Sequence, residues 1–172
     1  MTVRANKPEF NIREKLKSLD YSHIPYDKMP AGSIIQVATN DANTSISTNS
    51  SAYSDFTGAS INFSPKLSNS KLLITFNGAL RQFALGNARG RIPYGLKRNG
   101  TQIVYFGEEM QVRNLNFGSS SVEFTSKFYF ETIDSPGTTD ATTYTWHYRS
   151  IDSAAVDTGG QTYRQTIYEI KQ

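Results

Sequence analysis

Acid–base, nucleophilic or metal chemistry in this chain would have to be built from two histidines, His23 and His147, and one pair of adjacent carboxylates, Glu108-Glu109; there is no cysteine. Without a thiol there is no zinc–thiolate site, no iron–sulfur cluster and no cysteine nucleophile. The histidines are far apart in sequence, and neither falls in an HExxH helix or at any metal-ligand spacing. Neighbouring side chains on a strand point to opposite faces, so Glu108 and Glu109 do not make the opposed carboxylate pair of a glycosidase. No Gly-x-Ser-x-Gly elbow or dinucleotide fingerprint is present, and Gly86-Asn-Ala-Arg-Gly90 lacks both the spacing and the following Lys-Ser/Thr of a phosphate loop. The expectation is a protein that is not an enzyme, with no catalytic residue, no metal ligand set and no cofactor.

Binding chemistry has more to draw on. From Phe56 to Tyr105 there is no Asp or Glu, while Lys66, Lys71, Arg81, Arg89, Arg91, Lys97 and Arg98 are all basic, in a chain whose net charge is +3. Such asymmetry marks a partner-facing surface. Arg81, Arg89, Arg91, Lys97 and Arg98 are the candidates for contact with an anionic partner, either an acidic protein surface or an anionic glycan. Phe83 and Tyr94 are too few for a base-stacking platform, which weighs against nucleic acid.

The elements that must position these groups read as mainly β. The chain has 172 residues with ten Tyr, ten Phe and one Trp, enough aromatic surface for a single compact core. Ser, Thr and Asn outnumber the charged residues, and they weaken helix interiors while Thr, Tyr and Phe suit a pleated, half-buried surface. No apolar run approaches the roughly 20 residues that span a bilayer, and MTVRANKPEFNIREK has no apolar signal core, so neither membrane insertion nor Sec export is expected.

Residues 1–31 read as a leader. Asn11-Ile-Arg-Glu14 resembles a capping box, and Ile12, Leu16 and Leu19 fall on one stripe of a short helix. Two turns are marginal alone in water, so the helix must dock, on its own domain, on another copy or on another protein. Phe10, Ile12, Leu16 and Leu19 are the candidate anchoring residues.

Residues 32–172 form a series of strand-like runs. Ser33 to Thr39 is the first, Ser60 to Phe63 alternates, and Lys71 to Leu80 places Leu72, Ile74, Phe76 and Leu80 on one face. Arg81 to Arg91 reads as a long loop and Ile92 to Lys97 as a strand. Asn99-Gly100 is the strongest hairpin signal, since a type I′ turn needs positive φ at both central residues. Val122, Phe124, Phe128 and Phe130 share one face of a strand, with Glu123, Thr125, Lys127 and Glu131 on the other. Thr142, Tyr144, Trp146 and Tyr148 then alternate with Thr143, Thr145, His147 and Arg149, and Tyr163 to Ile170 closes the set. His147 on the polar face suggests a surface or inter-subunit hydrogen bond. About eight such strands without βαβ spacing indicate an antiparallel β-sandwich, jelly-roll-like, with a short helix-containing leader. Ile103 and Tyr105 on one face, with Val104 and Phe106 on the other, make one strand apolar on both sides. One side must meet a partner, so Ile103, Tyr105, Tyr163 and Tyr168 are the subunit-interface candidates.

The order Gly32-Ser-Ile-Ile-Gln-Val37, Ile61-Asn-Phe-Ser-Pro65, Ser70-Lys-Leu-Leu-Ile74 and Lys97-Arg-Asn-Gly-Thr101, followed by Ile133-Asp-Ser-Pro-Gly137, Thr142-Thr-Tyr144 and Ile167-Tyr-Glu-Ile170, resembles a β-rich domain of bacteriophage tail-fibre-like and other virion proteins. Pro8-Glu-Phe-Asn-Ile-Arg-Glu-Lys-Leu16 resembles the leader of small structural proteins in marine and cyanobacterial phages. The resemblance implies a jelly-roll-like head, assembled as a homotrimer and attached to other virion proteins by its N-terminal segment. It also implies assembly in the host bacterial cytoplasm, residence in the virion and contact with a host surface glycan. The sequence has no coiled coil, collagen-like run or long repeat of a fibre shaft. The readings are a tail fibre or tail appendage, a capsid decoration protein that stabilises the head shell, or a carbohydrate-binding module using exposed Tyr and Trp146.

Overall fold

The computed structural model describes residues 24–43, 47–48, 50–85, 89–113, 121–151, 155–157 and 162–172. Phe10, Ile12, Leu16, Leu19 and the expected leader helix lie outside these residues, as does His23. Among the described residues a short 3₁₀ turn, Tyr26–Lys28, precedes ten strands. These are β1 (Ile34–Ala42), β2 (Ser47–Thr48), β3 (Ser54–Phe63), β4 (Lys71–Leu85), β5 (Arg89–Arg98), β6 (Thr101–Arg113), β7 (Ser121–Asp134), β8 (Thr142–Tyr148), β9 (Ala155–Asp157) and β10 (Tyr163–Ile170).

The strands form two antiparallel sheets. One runs β1-β10-β4-β7, with the short β9 following β10 along the same side of β4 and β2 pairing with β9; the other runs β3-β8-β5-β6. The main pairs are nested along the chain: β1 with β10, β3 with β8, β4 with β7 and β5 with β6. That nesting is one long hairpin rolled into two layers, which is the jelly-roll arrangement. Its tip is the Asn99-Gly100 turn, where φ is 49° and 80°, the two positive values a type I′ turn demands. The tip is fastened to the start of β8: Asn99 N donates to Thr143 O at 2.9 Å, and Thr143 N donates to Asn99 Oδ1 at 2.8 Å.

Alternation fills the space between the layers. Leu72, Ile74 and Phe76 from β4 and Phe128 and Phe130 from β7 meet Tyr94, Leu96, Tyr144, Trp146 and Tyr148 from the facing sheet. Phe76 stacks on Trp146 with centroids 4.9 Å apart, and Phe56 packs on Tyr148 at 4.5 Å. Aromatic surface of this size, removed from water, is the main favourable term in such a fold.

The expected loop over Arg81 to Arg91 is largely strand. β4 runs on to Leu85 in register with Ser121 of β7, and β5 begins at Arg89 opposite Arg113 of β6. Main-chain ladder bonds to a ready partner carry these segments, although the sequence there shows no period-two pattern. β3 also starts earlier than read, at Ser54, with an irregularity between Asp55 and Ser60.

The chain before β1 is held by the end of the chain. Gly32 N donates to Lys171 O at 2.8 Å, Lys171 N donates to Ser33 O at 2.9 Å, and Lys171 Nζ donates to the carbonyl of Asp27 at 2.6 Å.

Candidate functional site

The outward face of the β3-β8-β5-β6 sheet carries the most unusual side-chain arrangement among the described residues. Period-two alternation on β8 sends Tyr144, Trp146 and Tyr148 into the core and His147 outward. His147 is nevertheless only 1% exposed. Its register partner on β5 is Gly95, and the imidazole lies in the space left by that missing side chain: a Cβ on Gly95 would fall 2.2 Å from His147 Nε2. Tyr53, just before β3, roofs the imidazole with ring centroids 4.4 Å apart. Tyr53 is in turn close to Tyr105 of β6 and covered by the Arg149 guanidinium, 4.9 Å from its ring centroid. Sheet backbone, imidazole, phenol ring and guanidinium thus form one stack.

Neither ring nitrogen of His147 has a hydrogen-bond partner among the described residues. Burial, reinforced by the nearby Lys97 charge and opposed by Asp55, pushes its pKa down to about 4, so the ring is neutral at pH 7. Burial likewise raises the Tyr53 phenol above its ordinary value. A neutral imidazole wedged between backbone and a phenol ring is a packing element. No nucleophile among the described residues is within its hydrogen-bond reach.

Among the described side chains, two of the anionic-partner candidates, Lys97 and Arg98, are paired with acids. Lys97 pairs with Asp55 of β3 across the sheet, and Arg98 Nη1 donates to both carboxylate oxygens of Asp134 at 2.9 and 3.1 Å. The acids that neutralise them lie outside the acid-free stretch in sequence, and the rolled hairpin brings them back. Arg91 begins the well-buried part of β5 and is half-buried; the side chains of Arg81 and Arg89 lie outside the described residues.

The interface candidates divide. Tyr163 is 1% exposed and belongs to the core. Tyr168, an odd number of positions along β10, faces the other way and is half-buried on the outside of the β1-β10-β4-β7 sheet. Tyr105 is 48% exposed beside Tyr53. Ile103 is the extra residue where the β5–β6 register shifts between Leu96 and Lys97, and it packs against the core. Trp146 is fully buried, which removes it as a sugar-stacking platform.

A set of outward apolar residues was missed from the sequence. Ile34, Val37, Tyr129 and Ile133 are all more than half exposed, and all lie on the outer face of the β1-β10-β4-β7 sheet. The signal was present, since Tyr129 and Ile133 share the face of β7 that Thr125, Lys127 and Glu131 mark as wet. A surface depression of about 380 Å³ opens on the same sheet where β4 changes partner from β10 to β9, lined by Asn77, Gly78, Ala79, Lys127, Phe128 and Thr162. Among the described residues no three His, Asp or Glu side chains come together as a metal site, and no helix is long and apolar enough to cross a membrane.

The fold is therefore a jelly-roll β-sandwich whose distinctive chemistry lies on its two outer faces. No family model matches the chain, and no curated protein matches it. Among solved structures it is similar to dimeric latent PorU from Porphyromonas gingivalis, at 11% identity and a TM-score of 0.42 over 83% of this chain and 14% of that one. It is also similar to the VP2 subviral particle of infectious bursal disease virus, at 11% identity and a TM-score of 0.39 over 80% of this chain and 38% of that one. The Gx strain of that virus gives 14% identity and a TM-score of 0.36 over the same shares. The chain spans well under half the length of each of these proteins, and likenesses of this strength carry no functional argument.

Proposed function

We propose that this chain is a non-enzymatic structural protein of a bacteriophage virion, of the tail-fibre or tail-appendage type. In this reading the jelly roll is a head that self-associates as a homotrimer, and residues 1–31 join it to the particle. The observation that carries the reading is the apolar row Val37, Tyr168, Leu73 and Ile133 that crosses one sheet face in register, with Val37 and Ile133 exposed at its ends, on a domain that already has a packed core. Contiguous exposed apolar surface on a compact domain marks an interaction site. The resemblance of the strand and turn motifs to phage virion proteins supplies the setting.

Antibody labelling of intact particles tests the reading. Label at the tail supports it, label over the head shell moves the protein to the capsid as a decoration protein, and absence from purified particles overturns it. The trimer is tested separately by native mass measurement, which should give three times the 19.2 kDa chain.

A further inference from the structure

The chain contains the dipeptide Asn-Gly twice, at Asn77-Gly78 and at Asn99-Gly100, and the fold puts the two in opposite settings. Asn77 and Gly78 lie within β4, held on one side by β10 and on the other by β7, with Asn77 in register with both Arg164 and Tyr129. Gly78 is packed as well as paired, since a Cβ on it would fall 2.8 Å from Tyr163 Cβ and 3.0 Å from the Phe128 ring. Asn99 and Gly100 are exposed at the hairpin tip, and a Cβ on Gly100 would meet nothing within 4 Å. One residue fixes that tip twice: Asn99 N donates to Thr143 O, and Thr143 N donates to Asn99 Oδ1.

We infer that Asn99 is a covalent modification site, a deamidation centre whose reaction is gated by the Thr143 clamp. The nucleophile is the Gly100 main-chain nitrogen, which no Cβ shields. The β5–β6 ladder closes over the turn at the Arg98–Thr101 pair, so the Gly100 N–H lies outside it. That nitrogen gives its proton to solvent base and attacks Asn99 Cγ; the N–Cγ bond forms, the Cγ–Nδ2 bond breaks and ammonia leaves, closing a five-membered succinimide. Water then opens the ring to Asp or to iso-Asp. The turn itself withholds the reaction. Ring closure needs the Gly100 nitrogen and Asn99 Cβ on the same side of the Cα–C bond, and the left-handed conformation of Asn99, with φ 49° and the ψ of a type I′ turn, holds them nearly opposite. Rotating that bond moves main chain and side chain relative to each other, and both are tied to Thr143. Conversion at Asn99 therefore proceeds through local openings of the hairpin tip, whereas the same rotation at Asn77 must pull β4 from two partners. The product alters the tip. Iso-Asp adds a methylene to the main chain of a two-residue turn, and either product places a carboxylate beside Arg98 in a stretch that has none.

The experiment incubates the full chain at mildly alkaline pH, folded in buffer and unfolded in guanidinium chloride, and then digests it. Liquid chromatography with mass spectrometry separates Asn, Asp and iso-Asp at each site. In the folded chain conversion is expected at Asn99 and not at Asn77. In the unfolded chain both should convert, Asn99 roughly tenfold faster than when folded. Three results overturn the inference: no folded-chain conversion at Asn99 during an incubation that converts it completely when unfolded, equal rates at Asn99 in the two states, or comparable rates at the two sites in the folded chain. Thr143→Pro removes the N–H that holds Asn99 Oδ1 and should raise the folded-chain rate at Asn99 toward the unfolded one while Asn77 stays unconverted. An unchanged rate in a variant that circular dichroism shows to be folded overturns the gate. If that variant does not fold, the wild-type comparison decides alone.

Discussion

Glu169 and Asp134 stand in one inward-facing cross-strand row, on either side of Leu72. Each carboxylate fastens a different piece of the facing layer. Glu169, fully buried, accepts from the backbone N–H of Lys66 at 2.9 Å, from that of Leu67 at 3.0 Å and from Gln36 Nε2 at 2.7 Å, and so closes the turn between β3 and β4. Asp134 accepts from Arg98 and from the Tyr144 hydroxyl, and so ties the end of β7 to the hairpin tip and to β8. These acids lie within the segments Ile133-Asp-Ser-Pro-Gly137 and Ile167-Tyr-Glu-Ile170. Their role here is to lock the rolled hairpin.

Glu169→Ala should therefore destabilise the fold by about 2 kcal/mol, since it takes the acceptor from two part-buried amide N–H groups and removes charge-assisted bonds. Urea denaturation should show a lower midpoint at an unchanged slope. A loss below about 1 kcal/mol would mean that water replaces the carboxylate and that the clamp is dispensable.

The Asp134 cluster allows a sharper test, because its members can be removed one at a time. The Tyr144 hydroxyl donates to Asp134 Oδ2 at 2.6 Å, and burial together with that carboxylate holds the phenol well above its ordinary pKa. Tyr144→Phe should cost about 1 to 2 kcal/mol and Asp134→Ala about 3 kcal/mol, the larger loss reflecting an abandoned Arg98. The double variant should show a coupling of about 1 kcal/mol, and simple additivity would separate the two residues energetically.

The parts of the fold legible in the sequence were those where one residue type repeats on one face. β7 and β8 alternate clearly, and Asn99-Gly100 has a single conformational explanation. The continuation of β4 to Leu85 was not legible, because ladder hydrogen bonds to β7 hold it and leave no side-chain signature. Pairing of Lys97 with Asp55 and of Arg98 with Asp134 is likewise a product of topology, which returns acids to a stretch that looks uniformly basic. Tyr163 was misplaced for a simpler reason: its distance from Tyr168 along one strand already put the two on opposite faces. The apolar row was hidden because each strand contributes one residue, and only the register aligns them.

The Gly95 slot predicts a specific failure. A Cβ there would lie 2.2 Å from His147 Nε2 and 2.8 Å from the Val104 carbonyl oxygen. Gly95→Ala should cost about 2 to 3 kcal/mol by overpacking, measured by urea denaturation. Adding His147→Ala should restore part of the loss, since the imidazole is one of the two clashing groups. If the second change only deepens the loss, the ring does not occupy the slot.

His147 also sets a pH dependence whose sign is fixed by its environment. The imidazole is packed against Tyr53, whose ring lies under Arg149, and the charges of Lys97 and Asp55 act on it. Its pKa falls from the ordinary 6.5 to about 4 on folding, so between those values the unfolded chain binds a proton that the folded chain refuses. Stability contributed by the neutral ring is complete above pH 6.5 and is lost as pH falls toward 4, by at most about 3 kcal/mol. Asp41, lowered from 3.8 by its hydrogen bond to Arg164, acts in a separate and more acidic window. The stability difference between wild type and His147→Gln should therefore change between pH 6.5 and 4 and be flat from pH 6.5 to 8. A proton NMR titration of the folded wild type should find the His147 ring still neutral at pH 5; a midpoint near 6.5 would place the ring in solvent and refute the stack.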